Sequence, residues 1–155
     1  MGIEIERKFL LTDTRWRDAV THSLAMRQGY LAADPACSVR VRLEGDAARL
    51  NIKSATLGIA RQEFEYAIPC EDAQAMLASL CGERVLSKQR HFVEYGGHTW
   101  EIDEFDGANA GLIVAEIELT HADEPFARPP WLGAEVSDDP RYYNVCLVDH
   151  PFERW

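Results

Sequence analysis

Like-charged residues stand two positions apart in short segments spread along this 155-residue chain. Near its start, Glu4 and Glu6 precede Lys8, and Ile3 and Ile5 alternate with them. The later segments contain Arg40 with Arg42, Glu63 with Glu65, Lys88 with Arg90, Glu101 with Asp103, and Glu116 with Glu118, and in one further segment the neutral Asn51 stands two positions before Lys53. Lysine and arginine donate hydrogen bonds to phosphate oxygens, and carboxylates without histidine or cysteine suit a hard cation such as Mg²⁺. A polyphosphate that carries a divalent cation would satisfy both sets.

Strands must position these residues, because side chains at i and i+2 project from the same face of a strand. Alternation of apolar and polar residues predicts eight strands, and a short ninth is predicted after Gly133. The eight are Ile3–Leu10, Ala25–Leu31, Ser38–Leu43, Arg49–Ser54, Gln62–Ile68, Leu86–Glu94, Thr99–Phe105 and Leu112–Leu119. Almost every one of these strands then has a charged face and an apolar face.

Eight antiparallel strands can close into a barrel that admits one small ligand, and closure removes exposed sheet edges. Helical periodicity is limited to Glu71–Leu80, a weaker segment after Asp13 that carries Trp16, and the tail DDPRYYNVCL. The sequence therefore predicts a mainly antiparallel β protein (α+β), a closed eight-stranded barrel with a few covering helices. One domain over residues 1–155 is expected from the length.

The charged faces have a plain alternative explanation, because an antiparallel sheet often keeps one face in water. Repetition of like-charged pairs in strand after strand favours an interior location instead. Like charges this close repel one another unless something of opposite sign lies between them. Unpaired ions are costly to bury, so a charged interior needs water, internal ion pairs or ligands.

Composition narrows the classes of function. A formal net charge of -10 argues against a nucleic-acid or anionic membrane partner unless the basic residues gather in one place. No long apolar run and no secretory pattern are present, which predicts a cytoplasmic protein. The four cysteines are widely spaced and are interpreted as reduced, buried residues. A small-molecule partner is therefore favoured, and the oligomeric state, including a homodimer, stays open.

The same segments resemble the CYTH family, also called triphosphate tunnel metalloenzymes, and in particular its short bacterial members. The resemblance begins with E-x-E-x-K at Glu4, Glu6 and Lys8 and runs through nearly the whole chain. The further segments are QGYL, RVR, IK, EFE, K-x-R, W-x-x-D-x-F, AEIEL and DDPRYYN. The resemblance implies an eight-stranded triphosphate tunnel that binds Mg²⁺ or Mn²⁺ and hydrolyses inorganic triphosphate or a related triphosphate.

The resemblance also assigns expected roles to residues. Phosphates would be bound by Lys8, Arg40, Arg42, Lys53, Lys88 and Arg90. Metal would be bound by Glu4, Glu6, Asp103, Glu116 and Glu118. Glu63 and Glu65 would position the attacking water or bind a second metal, and Lys88 would stabilise charge on the terminal phosphoryl group or serve binding alone. Tyr30 would relay a proton or only pack.

Several activities fit this framework. Relatives of the family include class IV adenylate cyclases and thiamine triphosphatases. The short chain has no insertion that would build a nucleobase pocket, so a substrate made almost entirely of phosphate is favoured. An alternative of another class is a non-catalytic module that binds polyphosphate or nucleotides. The number of acidic residues opposes it, because they would hinder simple anion binding.

Overall fold

The structure is a computed structural model that describes residues 2–34, 36–54 and 58–155, and β-strands form most of it. The strands are β1 Gly2–Leu11, β2 Val20–Ala33, β3 Cys37–Glu44, β4 Ala47–Ser54, β5 Ala60–Ala67, β6 Val85–Tyr95, β7 His98–Phe105, β8 Ile113–Leu119 and β9 Leu132–Glu135. The α-helices are α1 Cys70–Ser79 and α2 Asn144–Leu147. Short 3-10 helices cover Arg15–Ala19, Gly107–Asn109, Pro140–Tyr142 and Phe152–Arg154.

Eight of the strands close into an antiparallel barrel. Hydrogen-bonded neighbours follow the order β5-β4-β3-β2-β6-β7-β8-β1, and β1 pairs with β5 to complete the ring. The closing seam pairs Gly2 with Glu63 and Ile5 with Ala60. Strand β9 adds to the other part of β1, at Phe9 and Leu11. The predicted closed eight-stranded barrel with covering helices is confirmed.

The apolar faces of the strands point outward, and the rest of the chain covers them. One cluster joins Phe9, Trp100 and Ile102 of the barrel to Trp16 and Trp131 of the connecting segments. A second cluster packs the C-terminal residues Tyr142 and Leu147 against β6, β7 and β8, and a third packs α1 against β3 and β4. The hydrophobic core therefore surrounds the barrel, and its interior is left to the charged faces.

Helix α1 shows why the covering layer fits closely. Two acidic residues in its first turn favour the helix N-terminus, and the buried Ala73 and Leu77 pack on Val41. The helix begins one residue earlier than predicted. Strand β2 passes close to the C-terminal end of helix α1, where a Cβ on Gly29 would lie only 2.7 Å from Cys81 Sγ. Only glycine allows this approach.

Two of the sequence interpretations of helices need correction. The segment after Asp13 forms a single 3-10 helix, and Val20 already begins β2, which is fourteen residues long. Asp13 Oδ1 accepts a hydrogen bond from the Arg15 amide at 2.9 Å, which favours a tight turn over a longer helix. The tail forms two short pieces instead of one helix, because Tyr143 between them has an extended ψ of 134°.

No helix in the described ranges is both long and apolar enough to cross a membrane. All four cysteines are free, but only Cys81 is buried. The cytoplasmic location and the homodimer stay predictions.

Candidate active site

The barrel encloses a cavity of about 310 Å³ whose lining is mostly charged. All six predicted phosphate-binding residues line it, as do Tyr30, Glu63 and Glu65. Four of the five predicted metal-binding residues, Glu4, Glu6, Glu116 and Glu118, also line it. The inward charged faces predicted from the alternation are therefore brought together in one cavity. Asp103 is the exception, since it does not line the cavity.

The strand register sorts these residues into two walls. Strands β7, β8 and β1 are neighbours, and their register places Glu116 beside Glu101 and Lys8, and Glu118 beside Glu6. We call Glu4, Glu6, Glu101, Glu116 and Glu118 the carboxylate wall. Arg40 and Arg42 lie on β3, four places from β8 around the ring of eight, and we call them the arginine wall. The two walls thus face each other across the cavity.

Ion pairs neutralise part of the carboxylate wall. Lys8 Nζ lies 2.7 Å from Glu116 Oε1 and 3.5 Å from Glu6 Oε1. Lys53 Nζ lies 2.8 Å from Glu4 Oε2. Burial opposes the charge of Lys8, but the Glu116 and Glu6 carboxylates outweigh it and raise the pKa of Lys8. Lys8 is therefore held charged beside the acids.

Behind the cavity surface, Asp103 holds two of the cations. It is fully buried, and its Oδ2 atom accepts a hydrogen bond from Lys88 Nζ at 2.7 Å. Arg90 donates to both of its oxygens, from Nε at 2.8 Å and from Nη2 at 2.9 Å. Burial alone would raise the pKa of Asp103, but Arg90 and Lys88 lower it. We call Lys88, Asp103 and Arg90 the buried triad.

Burial also acts on Lys88. Its side chain is almost inaccessible, and burial lowers its pKa to about 8 although Asp103 opposes the change. A lysine with this pKa can hold or release a proton near neutral pH. This chemistry fits either of the two roles expected for Lys88.

The arginine wall is poorly supplied with counter-ions in the described part of the chain, since Arg42 has Glu44 nearby and Arg40 has no ion pair. Arg40 is only 8% exposed, its buried Nε has no hydrogen-bond partner, and it forms no ion pair with any residue in the described part of the chain. Arg42 Nε lies 3.3 Å from Glu44 Oε2 without a hydrogen bond. Burial and the nearby Arg40 and Arg90 lower the pKa of Arg42 to about 10. Desolvated, mutually repelling guanidinium groups favour binding of an anion.

In the carboxylate wall, burial and neighbouring negative charges oppose the ionisation of several acids. Burial and the neighbouring Glu116 raise the pKa of Glu6 to about 7. The pKa of Glu101 is raised by burial and that of Glu118 by burial and Glu4. Glu116 itself has a lowered pKa, because Lys8 and Arg90 outweigh its burial. Carboxylate oxygens that repel one another are the donor set a hard divalent cation prefers.

The side chains are nevertheless not arranged as a finished metal centre. Across residues 2–34, 36–54 and 58–155, no three or more of the His, Cys, Asp and Glu side chains lie together in a group that could hold a metal ion. Four of the carboxylates, Glu4, Glu6, Glu101 and Glu116, are turned toward lysines or arginines. The donor chemistry fits a divalent cation, and binding it requires the carboxylates of the wall to leave these cations and converge on one point in the cavity.

The remaining predicted residues lie on β2 and β5. Tyr30 is buried, lines the cavity and stands opposite Arg40 in the strand register. Glu65 accepts a hydrogen bond from Asn51 Nδ2 at 3.2 Å, and Glu63 Oε2 lies 3.4 Å from Lys53 Nζ. Strand β4 therefore holds both glutamates in place. The roles predicted for these three residues stay predictions.

Sequence reasoning missed several lining residues. Arg61 shares a face of β5 with Glu63 and Glu65, so the two-residue alternation would have identified it. Tyr143, Asn144 and Val145 come from the tail, where no periodicity points to a barrel interior. Asn144 Oδ1 accepts a hydrogen bond from Lys88 Nζ at 3.0 Å and so touches the buried triad.

Comparison with known proteins agrees with this arrangement. Residues 2–143 match the CYTH domain family. A protein of Acetivibrio thermocellus named inorganic triphosphatase is 42% identical over 155 residues, which is 100% of this chain and 99% of that protein. An inorganic triphosphatase of Nitrosomonas europaea is 34% identical over 149 residues, 94% of this chain and 96% of that protein.

Solved structures give the same picture. The crystal structure of an inorganic triphosphatase superposes with a TM-score of 0.69 at 32% identity, over 96% of this chain and 95% of that chain. A protein of Pyrococcus horikoshii shares only the fold, with a TM-score of 0.59 at 18% identity, over 77% of this chain and 80% of that chain. The family match over residues 2–143 and the two relatives above 30% identity together show that the chain belongs to the CYTH domain family.

Proposed function

We propose that this protein hydrolyses inorganic triphosphate inside the barrel in a metal-dependent reaction. The observation that carries the proposal is the opposition of two unsatisfied walls. Arg40 is a buried cation with no counter-ion among the described residues, and across the cavity the pKa of Glu6 is raised to about 7. A triphosphate with a divalent cation would supply the missing opposite charge to both walls. The two relatives named inorganic triphosphatase support the same substrate.

The proposed cation is Mg²⁺ or Mn²⁺. Glu4, Glu6, Glu116 and Glu118 would hold it from the cavity surface, and Asp103 was predicted to join them. When bound, such a cation neutralises phosphate oxygens and lowers the pKa of a water molecule that attacks the terminal phosphorus. Because Asp103 already accepts hydrogen bonds from Lys88 and Arg90, we propose that it acts mainly by holding these two cations.

The other residues would bind and orient the substrate. The guanidinium groups of Arg40 and Arg42 would donate hydrogen bonds to phosphate oxygens from one side, and Lys8 and Lys53 would add positive charge next to the carboxylate wall. Lys88 would contact the terminal phosphoryl group and balance the charge that develops there. Glu63 or Glu65, fixed from β4, would position the attacking water.

The lining favours inorganic triphosphate over a nucleotide or thiamine triphosphate. Among the described residues that line the cavity, Val145 is the only aliphatic one, and Tyr30 and Tyr143 are the only aromatic ones. Sites for organic groups are usually lined by hydrophobic and aromatic side chains. A mostly charged lining suits a substrate that consists of phosphate alone.

The test is phosphate release from inorganic triphosphate, ATP, thiamine triphosphate and pyrophosphate, with and without Mg²⁺ or Mn²⁺, together with an assay for cyclic AMP. Glu6→Gln and Arg42→Ala test the two walls, and Arg17→Ala is the matched control, since Arg17 pairs with Glu104 on the outer surface. Metal-dependent release that is fastest from inorganic triphosphate and lost in both wall variants supports the proposal.

The other outcomes identify the alternatives. Cyclic AMP formation from ATP assigns the protein to the adenylate cyclases. Faster release from thiamine triphosphate assigns it to the thiamine triphosphatases. Tight binding of inorganic triphosphate without turnover makes it a binding module.

A further inference from the structure

Arg61 is a second cation of the cavity that forms no ion pair with any carboxylate of the described residues. Lys8, Arg42, Lys53, Lys88 and Arg90 each lie within ion-pair distance of at least one carboxylate. In the part of the chain that the structure describes, Arg40 and Arg61 form no such pair. Arg40 belongs to the predicted phosphate-binding set, whereas neither a sequence motif nor the resemblance assigned Arg61 a role. Arg61 therefore shares with Arg40 the lack of an ion pair within the described residues, although Arg61 is only half-buried.

The contact that Arg61 does make leaves its donors available. Its guanidinium carbon lies 4.4 Å from the centre of the Tyr143 ring. A cation–π contact is not a hydrogen bond, and the Arg61 guanidinium forms no hydrogen bond or ion pair with the residues that the structure describes. Tyr143 is itself fixed, since its hydroxyl donates a hydrogen bond to the Ser137 carbonyl at 2.7 Å. The aromatic ring thus orients the guanidinium without consuming its hydrogen-bonding capacity.

The surroundings of Arg61 are those of the proposed site. Arg61 stands opposite Glu4 in the register of the barrel seam and two residues before Glu63 on the same face of β5. Tyr143, on which it lies, adjoins Asn144, which contacts Lys88 Nζ. Arg61 and Lys88 therefore both contact the C-terminal segment where it lines the cavity.

We propose that Arg61 is a further phosphate-binding residue, which donates hydrogen bonds to a phosphoryl group of the substrate beside Tyr143–Val145. This assignment rests on the proposed function, because it names an additional contact of the same site. The ligand class is an inorganic polyphosphate. The contact with Tyr143 restricts the position of the guanidinium and reduces the entropy lost on binding.

The first test measures the affinity for inorganic triphosphate by calorimetry in the presence of EDTA, where turnover does not interfere. Arg61→Gln is compared with Arg15→Gln, because Arg15 is exposed and pairs with Asp13 outside the cavity. Loss of charge-assisted hydrogen bonds is expected to weaken binding about 10- to 100-fold in Arg61→Gln, with no change in Arg15→Gln. The melting temperature without ligand should stay close to that of the unmodified protein. Affinity within twofold of the unmodified protein would overturn the assignment.

A second measurement avoids substitution altogether. Arginines of the unmodified protein are labelled with phenylglyoxal, and the labelling of Arg61 and Arg15 is followed by mass spectrometry. Inorganic triphosphate is expected to slow labelling of Arg61 at least fivefold and to leave Arg15 unchanged. Equal labelling of Arg61 with and without triphosphate would contradict the proposal.

The two proposals fail in different ways. Weaker binding by Arg61→Gln in a protein that releases no phosphate from triphosphate would retain the contact and remove the hydrolase function. Normal binding by Arg61→Gln in a protein that hydrolyses triphosphate would retain the function and remove the contact.

Discussion

Two arginines of this barrel are almost equally buried but have opposite electrostatic surroundings. Arg90 is 9% exposed and Arg40 is 8% exposed. Arg90 donates two hydrogen bonds to Asp103, and Asp103 and Glu101 raise its pKa against the effect of burial. Arg40 has no ion-pair partner in the described residues, and its positive charge helps to lower the pKa of the neighbouring Arg42.

The difference distinguishes residues whose charge is paired within the barrel, such as Arg90, from residues whose charge is available to a ligand, such as Arg40. A buried ion pair with complete hydrogen bonds loses much stability when one partner is removed, because the other charge is left alone. A buried cation without a partner already bears that desolvation cost. Substitutions in the buried triad should therefore lower the free energy of unfolding, whereas substitutions in the arginine wall should lower activity.

The largest effect is expected for Asp103→Asn in the buried triad. This change leaves Lys88 and Arg90 without their shared carboxylate, so the free energy of unfolding should fall by about 3 to 5 kcal/mol. Urea denaturation measures it. Glu104→Gln is the control on the same strand, because Glu104 pairs with Arg17 at the surface, and it should cost less than about 1 kcal/mol. Equal losses in the two variants would contradict the distinction.

Arg40→Gln should have the opposite profile. With one donor group of the arginine wall removed, kcat/KM for inorganic triphosphate should fall about 100- to 1000-fold. The free energy of unfolding should stay the same or rise, since a desolvated charge is removed. Steady-state kinetics and urea denaturation test the two parts. A clear loss of stability would show that Arg40 has a structural partner after all.

Repulsion and burial in the carboxylate wall should make the free energy of unfolding depend on pH. Because the pKa of Glu6 is raised from 4.5 to about 7, the folded state keeps a proton that the unfolded state releases. The free energy of unfolding should therefore fall as pH rises from 4.5 to 7. Glu6→Gln removes this loss and should be more stable than the unmodified protein by about 1 to 3 kcal/mol at pH 8. The difference should vanish below pH 4.5.

Glu124 provides a control of opposite sign. Hydrogen bonds from Thr120 and His98 lower the pKa of Glu124 from 4.5 to about 2. At a pH above the pKa that Glu124 has in the unfolded chain, its charged form therefore stabilises the folded state. Glu124→Gln should therefore be less stable than the unmodified protein at neutral pH, and the difference should shrink as the solution becomes acidic. Equal pH curves for Glu6→Gln and Glu124→Gln would contradict the electrostatic account of the carboxylate wall.

The smallest effect is expected for Tyr30→Phe. A phenol is a poor base near neutral pH, and the ring of Tyr30 is packed within the barrel wall. Removal of the hydroxyl should lower kcat less than about fivefold, measured under saturating triphosphate. A fall of 100-fold or more would assign proton transfer to Tyr30.

The alternation of residues was enough to predict the barrel and most of its lining. A strand has a period of two, so the spacing of Glu4, Glu6 and Lys8 places them on one face, and the repetition of like-charged pairs in other strands predicted that this face points inward. The buried position of Asp103 could not be predicted in this way, because it depends on which residues of β6 stand opposite it. The register of β6 and β7 places Arg90 there, and no single segment contains that information.

The irregular segments were harder to predict for a related reason. Trp16 lies in a 3-10 helix whose position is set by packing on the outside of the barrel, and its local sequence resembles that of a longer helix. Asn144 reaches the cavity because the tail folds back over β6, β7 and β8. Packing between segments distant in the sequence sets the positions of Trp16 and Asn144, so the periodicity of the local sequence cannot predict them.

Strand β1 links folding to assembly of the site. Lys8 points inward to Glu116, and the next residue, Phe9, packs outward against Trp100 with ring centres 5.7 Å apart. A shift of one residue in pairing would exchange the two faces, which would place Phe9 among the carboxylates and Lys8 in the hydrophobic layer. Correct packing of the outward apolar side chains therefore enforces the inward position of the charged side chains. During refolding, burial of Trp100 and recovery of anion binding should follow a single rate constant, because the chain cannot complete one without the other.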